Sequence, residues 1–272
     1  MSEVSVRPTT NGHTTGFLTD STLCIGCKAC EVACKEWNDV SADGYDWSGF
    51  SYDNTEAVGH STWRHVKFVE NTMTPGLGGN AVGQLPSWEF SSDVCKHCEV
   101  AGCLEACPTG AIVRMDFGGV FVQPDVCNGC SYCVVSCPFG VVQKNEHDGR
   151  AFKCTFCADR QMAGLEPACA HACPTESIQF GNLEELHAKA DQRLQELRSR
   201  GVDDAVIYDP VDTSVKGIHA FFLLRGDPRT YNLPPEPEVP TAYLKKGWKS
   251  AAVAAGAMLG ATVLAFLGDN HR

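Results

Sequence analysis

The residues of this chain best able to do chemistry are its cysteines, sixteen in 272 residues. They fall into four runs of four with none left over, and three of the runs end in Cys-Pro. The runs are Cys24, Cys27, Cys30, Cys34; Cys95, Cys98, Cys103, Cys107; Cys127, Cys130, Cys133, Cys137; and Cys154, Cys157, Cys169, Cys173. The first and third runs have the spacing C-x2-C-x2-C-x3-C, whose thiolates hold [4Fe–4S] clusters in ferredoxins of the bacterial type. The sequence therefore predicts four [4Fe–4S] clusters, with all sixteen cysteines as iron ligands.

Two other uses of cysteine fit this spacing less well. Disulfide frameworks are typical of short secreted chains with irregular spacing, whereas most of these cysteines are two to four residues apart. Zinc can be held by two C-x2-C pairs, but such a site needs no third cysteine three residues on and no proline after the fourth. The pattern favours iron–sulfur clusters over both alternatives.

The fourth cysteine of such a run usually binds the other cluster of a pair. Short helices at Ala29–Cys34 and Cys133–Cys137 are expected to carry it away from its own run. Residues 111–122 predict a β-hairpin with its turn at Gly118 and Gly119, so runs two and three form a contiguous unit over roughly residues 91–150. Runs one and four must then pair across that insertion. The predicted ligand sets are Cys24, Cys27, Cys30 with Cys173; Cys154, Cys157, Cys169 with Cys34; Cys95, Cys98, Cys103 with Cys137; and Cys127, Cys130, Cys133 with Cys107.

Charged side chains and imidazoles also lie close to the predicted ligands. The cations are Lys28, Lys96, Lys153 and Arg160. They can raise a local reduction potential, or they can be ordinary surface charge. Both interpretations stay open for Lys28 and Lys96, and surface charge is expected for Lys153 and Arg160. His97 and His171 lie inside cysteine runs, but each run already has four thiols, so neither is expected to bind iron.

The remaining composition argues against several other functions. A formal net charge of −11 is the opposite of the basic face that nucleic-acid binding needs. There is no dinucleotide-binding turn, phosphate loop or nucleophile constellation, and the glycines at residues 76–79 are expected in a loop. The polar stretch of residues 1–20 has no apolar signal segment. We therefore predict a non-catalytic electron-transfer protein that needs partners as electron source and sink.

The C-terminal half contains three ordinary elements and one unusual one. A helix is predicted over residues 182–201, with Asn182 as its N-cap and Gly201 as its end. A strand is expected at Ile218–Leu224, followed by a stiff proline-rich linker at residues 233–240. Residues 250–267 contain no charge and are just long enough to span a bilayer.

A single C-terminal transmembrane helix is predicted from this apolar stretch, in contact with membrane lipid. Lysines and Trp248 precede it as interfacial anchors, and Gly256 and Gly260 suit packing against another membrane helix. These flanks favour a cytoplasmic cluster domain unless a partner's export signal sets the topology. Both faces of the membrane stay open.

The predicted fold class is α+β, with two ferredoxin-like 4Fe–4S modules, one inserted in the other, each binding two clusters. Residues 1–90 hold the first part of the outer module and a crossover segment, and residues 91–150 hold the inserted module. Residues 151–232 complete the outer module, 233–249 form the linker and 250–267 the transmembrane helix. Within the crossover, residues 39–90 are expected to be the least regular part of the chain and a candidate face for a partner.

Several stretches between and around the cysteines carry a family resemblance. The order of the four runs, ending in C-x2-C-x11-C-x3-C-P, resembles iron–sulfur subunits of molybdopterin oxidoreductases. The stretches 23–38, 51–55, 62–68 and 219–224 are similar to formate dehydrogenase β subunits, and the likeness runs from about residue 16 to the C-terminal helix.

This resemblance implies a place in a larger complex. Such subunits lie between a catalytic subunit with a molybdenum or tungsten bis-pterin and a membrane cytochrome b subunit that delivers electrons to quinone. It implies that electrons from formate enter at the cluster of Cys24 and leave at the cluster of Cys127. Three alternatives stay open: the iron–sulfur subunit of a membrane hydrogenase, that of another molybdopterin oxidoreductase, and a free polyferredoxin.

Overall fold

The computed structural model describes residues 14–42, 44, 47–49, 52–71 and 87–269. Its helices are α1 Ala29–Asn38, α2 Gly102–Glu105, α3 Tyr132–Val135, α4 Ala158–Met162, α5 Ala168–His171, α6 Leu183–Ser199 and α7 Leu244–Asp269. Its strands are β1 Thr15–Asp20, β2 Arg64–Asn71, β3 Ser87–Val94, β4 Ile112–Arg114, β5 Val120–Val122, β6 Gln143–Lys144, β7 Ala151–Phe152, β8 Ile178–Asn182, β9 Ala205–Tyr208 and β10 Ala220–Arg225. The predicted α+β class is confirmed. The polar residues 1–13 and the glycines at 76–79 lie outside the described residues.

The largest sheet joins the two ends of the cysteine-bearing region. Its strand order is β8-β1-β10-β9. Strand β1 is buried at every position and pairs antiparallel with β8 and parallel with β10, so Phe17 faces both Phe180 and Ala220. Because β1 leads into the first cysteine run and β8 follows the fourth, one sheet holds these two runs side by side.

Helix α6 covers this sheet and confirms the predicted helix. The side chain of its N-cap, Asn182, accepts hydrogen bonds from the backbone N–H groups of Glu184 and Glu185. Leu186 and Ala190 on its apolar face are buried at 1 % and 0 % exposure. The burial of this face, rather than helix propensity, is what fixes a surface helix of this kind on its sheet.

Residues 39–90, expected to be irregular, contain a long strand pair. Strands β2 and β3 pair antiparallel from Arg64 opposite Val94 to Asn71 opposite Ser87. The alternation is mixed, because polar side chains such as Ser92 are buried on this hairpin beside apolar ones such as Val66. Strands β2 and β3 therefore lack the clear alternation of apolar and polar residues that indicates a strand. This explains why they were not predicted from the sequence.

The inner hairpin was predicted correctly. Strands β4 and β5 pair antiparallel, and Gly118 in the turn has a φ of +95°, a backbone angle that residues with a side chain rarely adopt.

The proline-rich segment differs from a free linker, because Leu233 and Val239 are buried and the Val239 N–H donates to Ser214 Oγ at 2.7 Å. A 3-10 helix at Pro240–Tyr243 follows, still in contact with α2 through Thr241, and leads into α7.

Candidate metal centres

The first and third cysteine runs form loops of the same shape. Gly26 and Gly129, each just before the second cysteine, have φ of +67° and +72°, and the residues after that cysteine, Lys28 and Ser131, have φ of +60° and +66°. A side chain at residue 129 would meet the Gly149 carbonyl oxygen at 2.3 Å. These left-handed positions turn the chain tightly, so three cysteines spaced by two residues can face one point.

The structure gathers the sixteen cysteines into four groups, each combining three sulfurs of one run with one sulfur of another. We number these groups as centres in spatial order. Centre 1 contains Cys24, Cys27, Cys30 and Cys173; centre 2 contains Cys154, Cys157, Cys169 and Cys34; centre 3 contains Cys95, Cys98, Cys103 and Cys137; and centre 4 contains Cys127, Cys130, Cys133 and Cys107. These groups contain the same cysteines as the ligand sets expected from the sequence, and their binding of clusters in these sets stays a prediction.

Three of the centres surround cavities of closely similar size. The space at each, open solvent included, is about 290 Å³ at centre 1, about 310 Å³ at centre 3 and about 300 Å³ at centre 4. At centre 2 the Cys34 sulfur lies close enough to interact electrostatically with the sulfurs of Cys154, Cys169 and Cys157. Within the described ranges, no three Cys, His, Asp or Glu side chains come close enough for a single metal ion. The thiols therefore suit a larger group better than one zinc ion.

Polar groups close to sulfur are found at all four centres. Ser92 Oγ lies 3.2 Å from Cys30 Sγ at centre 1, and the Phe156 N–H donates to Cys154 Sγ at 3.3 Å at centre 2. The Ala151 N–H donates to Cys127 Sγ at 3.5 Å at centre 4. At centre 3 the Lys153 ammonium reaches the sulfur of Cys95. Such donors stabilise thiolate and tune the potential of a bound cluster, so they fit an iron–sulfur group.

The thiols themselves are held in surroundings that disfavour a free thiolate. Burial raises the pKa of Cys30 and of Cys103 to about 12, although Arg64 and Lys153 respectively oppose that effect. Without a metal these cysteines stay protonated at neutral pH, and a bound iron must replace the proton. The donor chemistry and its burial thus fit a tightly held metal group rather than reactive or redox-sensing thiols.

The four centres form one series through the molecule. Between neighbouring centres, the sulfurs of three pairs are close enough to interact electrostatically: Cys30 of centre 1 with Cys169 of centre 2, Cys154 of centre 2 with Cys95 of centre 3, and Cys103 of centre 3 with Cys133 of centre 4. All four cysteines of centre 2 are buried. Centres 1 and 4, by contrast, each have one exposed cysteine, Cys27 and Cys130. The series is therefore open to partners at its two ends and shielded between them.

Comparison with known proteins assigns these centres to a family. Two family models, both described as 4Fe-4S dicluster domain, match residues 23–111 and 86–183. The formate dehydrogenase iron-sulfur subunit of Haemophilus influenzae is 39% identical over 92% of this chain and 79% of its own length. The formate dehydrogenase-O iron-sulfur subunit of Escherichia coli is 40% identical over 92% and 82%. The chain belongs to this family of formate dehydrogenase iron–sulfur subunits. The prediction from the sequence is confirmed, and the domain matches indicate iron–sulfur clusters as the cofactors.

The family of this iron–sulfur subunit has related members in other enzymes. The thiosulfate reductase electron transfer subunit PhsB of Salmonella typhi is 40% identical over 68% of this chain and 88% of its own length. Its match is shorter on this chain than those of the formate dehydrogenase subunits. The cysteine-rich frame is thus common to several enzymes, and the formate dehydrogenase relatives share more of what surrounds it.

One residue near the centres of this iron–sulfur subunit was missed from the sequence. Arg64, on β2, is 1 % exposed and donates from Nη2 to Cys169 Sγ at 3.4 Å. It is thirty residues from the nearest cysteine in the chain, so its proximity to the sulfurs depends on the β2–β3 hairpin. Spacing along the sequence gives no signal for it.

The cations that the sequence did single out have different surroundings from one another. Lys153, expected at the surface, is 2 % exposed, which corrects that expectation. Lys96 is buried too, but its ammonium is paired with the Asp93 carboxylate. Arg160 stacks on the exposed ring of Trp37, with 4.2 Å from its guanidinium carbon to the ring centroid. Burial and pairing, which the sequence does not give, separate these four residues.

The fourth cation, Lys28, belongs to a buried ionic group beside centre 1. Both ring nitrogens of His65 meet carboxylates at ion-pair distance, Nε2 to Asp53 at 2.8 Å and Nδ1 to Glu31 at 3.4 Å. Lys28 Nζ lies 3.5 Å from Asp53. Burial alone would lower the pKa of His65, but the carboxylates outweigh it and raise that pKa to about 9. The charged imidazole thus ties α1 to the crossover segment.

The histidines within the cysteine runs make contacts of other kinds. His97 accepts a hydrogen bond at Nδ1 from the Val120 N–H at 3.0 Å, and its ring lies 4.3 Å from that of Phe156. His171 ends the short helix α5 that carries Cys169. Neither contributes to the four groups of cysteines described above.

Proposed function

We propose that this chain carries electrons from a molybdopterin catalytic subunit, which oxidises formate to carbon dioxide, toward a membrane cytochrome b and quinone. The observation that carries the proposal is the series of centres 1 to 4, with an exposed cysteine at each end and fully buried cysteines at centre 2. A chain of this kind needs a donor at one end and an acceptor at the other. It needs no substrate pocket of its own.

All sixteen cysteines serve as ligands in this proposal, four to each of four [4Fe–4S] clusters. When bound, a cluster of this type takes up and releases one electron. The near-equal cavities of centres 1, 3 and 4 and the polar contacts to sulfur at every centre support it. The chain's own residues supply the thiolates, hydrogen-bond them, and exclude water from the middle of the series.

The helix α7 is the membrane anchor in this proposal. It runs from Leu244 to Asp269, and its described side chains are exposed. It is the one helix within the described residues that is long and apolar enough to cross a membrane. At about 1.5 Å per residue its length is about 39 Å, more than the hydrocarbon core of about 30 Å. A fully exposed apolar helix in water is unfavourable, so lipid and the cytochrome subunit are its natural surroundings.

The position of α7 also gives the series a direction. The 3-10 helix before α7 contacts α2 through Thr241 Oγ1 and the Glu105 carboxylate. Glu105 lies between Cys103 of centre 3 and Cys107 of centre 4 along the chain. The membrane end of the molecule is therefore close to centres 3 and 4, and we assign centre 4 to the cytochrome b side.

Centre 1 then faces the catalytic subunit. The crossover hairpin borders it, with Gly26 against the Phe90 ring and Lys28 Nζ 5.4 Å from the centroid of Phe68. On this hairpin Trp88 is half exposed and packs against exposed Tyr52, with ring centroids 4.9 Å apart and the ring planes tilted by 56°. Exposed aromatic side chains beside an electron-transfer centre suit a protein interface.

The experiment that tests this function is anaerobic extraction of the full complex in detergent, with mass spectrometry of the subunits. We expect a large molybdopterin protein, a cytochrome b, and reduction of quinone by formate. A nickel–iron large subunit in its place would overturn the assignment to formate.

A variant at centre 4 separates conduction from catalysis. We expect the complex with Cys130→Ala to reduce an artificial dye with formate as before, because the dye can accept electrons at the catalytic subunit. Reduction of quinone should fall strongly. Equal rates of quinone reduction in a variant that has lost the resonance signals of centre 4 altogether would show that electrons do not leave by centre 4.

A further inference from the structure

Among the residues that the structure describes, two cations are buried without a carboxylate partner. Arg64 is 1 % exposed and Lys153 is 2 % exposed. In the part of the chain that the structure describes, neither has an Asp or Glu oxygen within ion-pair distance, whereas buried Lys96 has Asp93. An unpaired buried charge is strongly unfavourable. Each of these two residues must therefore be compensated by some other negative charge.

The negative charge available to Arg64 is sulfur from two centres. Its Nη2 donates to Cys169 Sγ of centre 2 at 3.4 Å, and its Nη1 donates to the Ser92 carbonyl at 3.0 Å. The hydroxyl of the same Ser92 lies 3.2 Å from Cys30 Sγ of centre 1. The guanidinium of arginine stays protonated in proteins. Arg64 thus stays charged, between centres 1 and 2.

Lys153 occupies the equivalent position at the next junction. Its ammonium donates to the carbonyl oxygens of Val120 and of Cys154, the latter at 3.1 Å. Val120 lines the cavity of centre 3, whereas Cys154 belongs to centre 2. Lys153 is therefore a cation between centres 2 and 3.

We propose that Arg64 and Lys153 are counter-ions that each serve two neighbouring clusters and raise the reduction potentials of both. The proposal rests on the four clusters proposed above. A cluster bound by four thiolates is anionic and gains a further negative charge when it is reduced. A cation fixed nearby in a medium of low dielectric stabilises that reduced form. Centre 2 lies between the two cations and interacts with both. Its reduction potential should therefore depend on them more than that of any other centre.

The test is a redox titration of the intact complex, followed by electron paramagnetic resonance, with Arg64→Gln and Lys153→Gln. Each variant should lower the potentials of two centres, and one centre should be common to both variants. The expected size is at least a tenfold change in the ratio of oxidised to reduced cluster at a fixed potential, which equals 59 mV for one electron. This pattern is recognisable without prior assignment of the signals.

Matched variants separate charge from packing. Arg64→Lys keeps the charge, so its potentials should stay within tenfold of the parent ratio even if Arg64→Gln fails to retain its clusters. Arg225→Gln removes an arginine that is half exposed and already paired with Asp204, and it should shift nothing. If Arg64→Lys lowers the two potentials as far as Arg64→Gln, hydrogen bonding rather than charge is responsible and the proposal is wrong.

Two further outcomes would overturn it. The proposal fails if all four potentials shift alike, which indicates general damage, or if none shifts while the iron content is unchanged. Failure of the four-cluster proposal is distinguished by the parent protein, which would then show fewer than four cubane signals before any cation is changed. Failure of the assignment to formate is read from the subunits that co-purify and leaves this titration unaffected.

Discussion

The exchange of fourth cysteines can be tested on two neighbouring residues of one helix. Cys30 and Cys34 are one turn apart on α1 and are exposed to nearly the same extent, 6 % and 5 %. Cys30 lines the cavity of centre 1, whereas the electrostatic neighbours of Cys34 are the sulfurs of centre 2. We predict that Cys30→Ala damages centre 1 alone and that Cys34→Ala damages centre 2 alone.

The size of the effect follows from burial. At these positions solvent cannot easily take the place of the missing sulfur, so the whole cluster should be lost. One cluster of four is about a quarter of the iron per chain, whereas loss of a single iron would be about a sixteenth. Iron analysis distinguishes these two results. The two substitutions remove the same side chain from the same helix, so each serves as the structural control for the other.

Two reference variants identify the damaged centre by its spectrum. Cys24→Ala removes a ligand of centre 1 only, and Cys157→Ala removes a ligand of centre 2 only. The electron paramagnetic resonance spectrum of reduced Cys30→Ala should match that of Cys24→Ala, and that of Cys34→Ala should match Cys157→Ala. If Cys34→Ala instead reproduces the spectrum of Cys24→Ala, the fourth cysteine binds with its own run and the exchange is refuted.

Three more predictions use the same protein. Cys130 is exposed, so Cys130→Ala should give a three-iron centre with its own resonance signal and lose about a sixteenth of the iron; four unchanged cubane signals would contradict the ligand set of centre 4. Removal of residues 241–272 should release the cluster-bearing part from membranes, as judged by flotation, and persistent binding would exclude α7 as the anchor. The pKa of His65 is raised from 6.5 to about 9, so its charged form stabilises the fold. This stabilisation is complete below pH 6.5 and is lost as the pH rises through 9. The fall in Tm between pH 6.5 and pH 9 should be smaller in His65→Gln than in the parent. If the fall is the same in both, another titratable group causes it.

What the sequence predicted well depends on short distances along the chain. The cap residue Asn182 and the apolar periodicity predict the helix α6. Gly118 in the turn predicts the hairpin β4–β5. The ligand sets stay a prediction, made from short spacings plus one connectivity rule for the fourth cysteine. In the helix and the hairpin the residues that decide the structure lie within about twenty positions of one another.

What the sequence did not predict depends on pairs of residues that are far apart. Arg64 reaches Cys169 across 105 positions, and nothing near it in the chain indicates a metal centre. Lys153 next to Cys154 gave no sign of its burial, because β5 and centre 3 cover it from elsewhere in the sequence. The surroundings of these cations are made by the tertiary fold, so a reading of local spacing misses their role.

The same long-range contacts imply an order in which the centres can close. The cysteines of centres 3 and 4 all lie within residues 95–137, so these centres need only a short segment of chain. Strand β1 pairs with β8 and β10, so the sheet beside centres 1 and 2 cannot form until residue 225 is available. Closure of such distant contacts costs more chain entropy and is slow. Arg64 and Lys153 both lie outside residues 95–137. The charge environment of centre 3 is therefore complete only when the segment that contains Lys153 has packed against it. The reduction potential of a centre that can form early thus depends on the correct folding of the part of the chain that folds last.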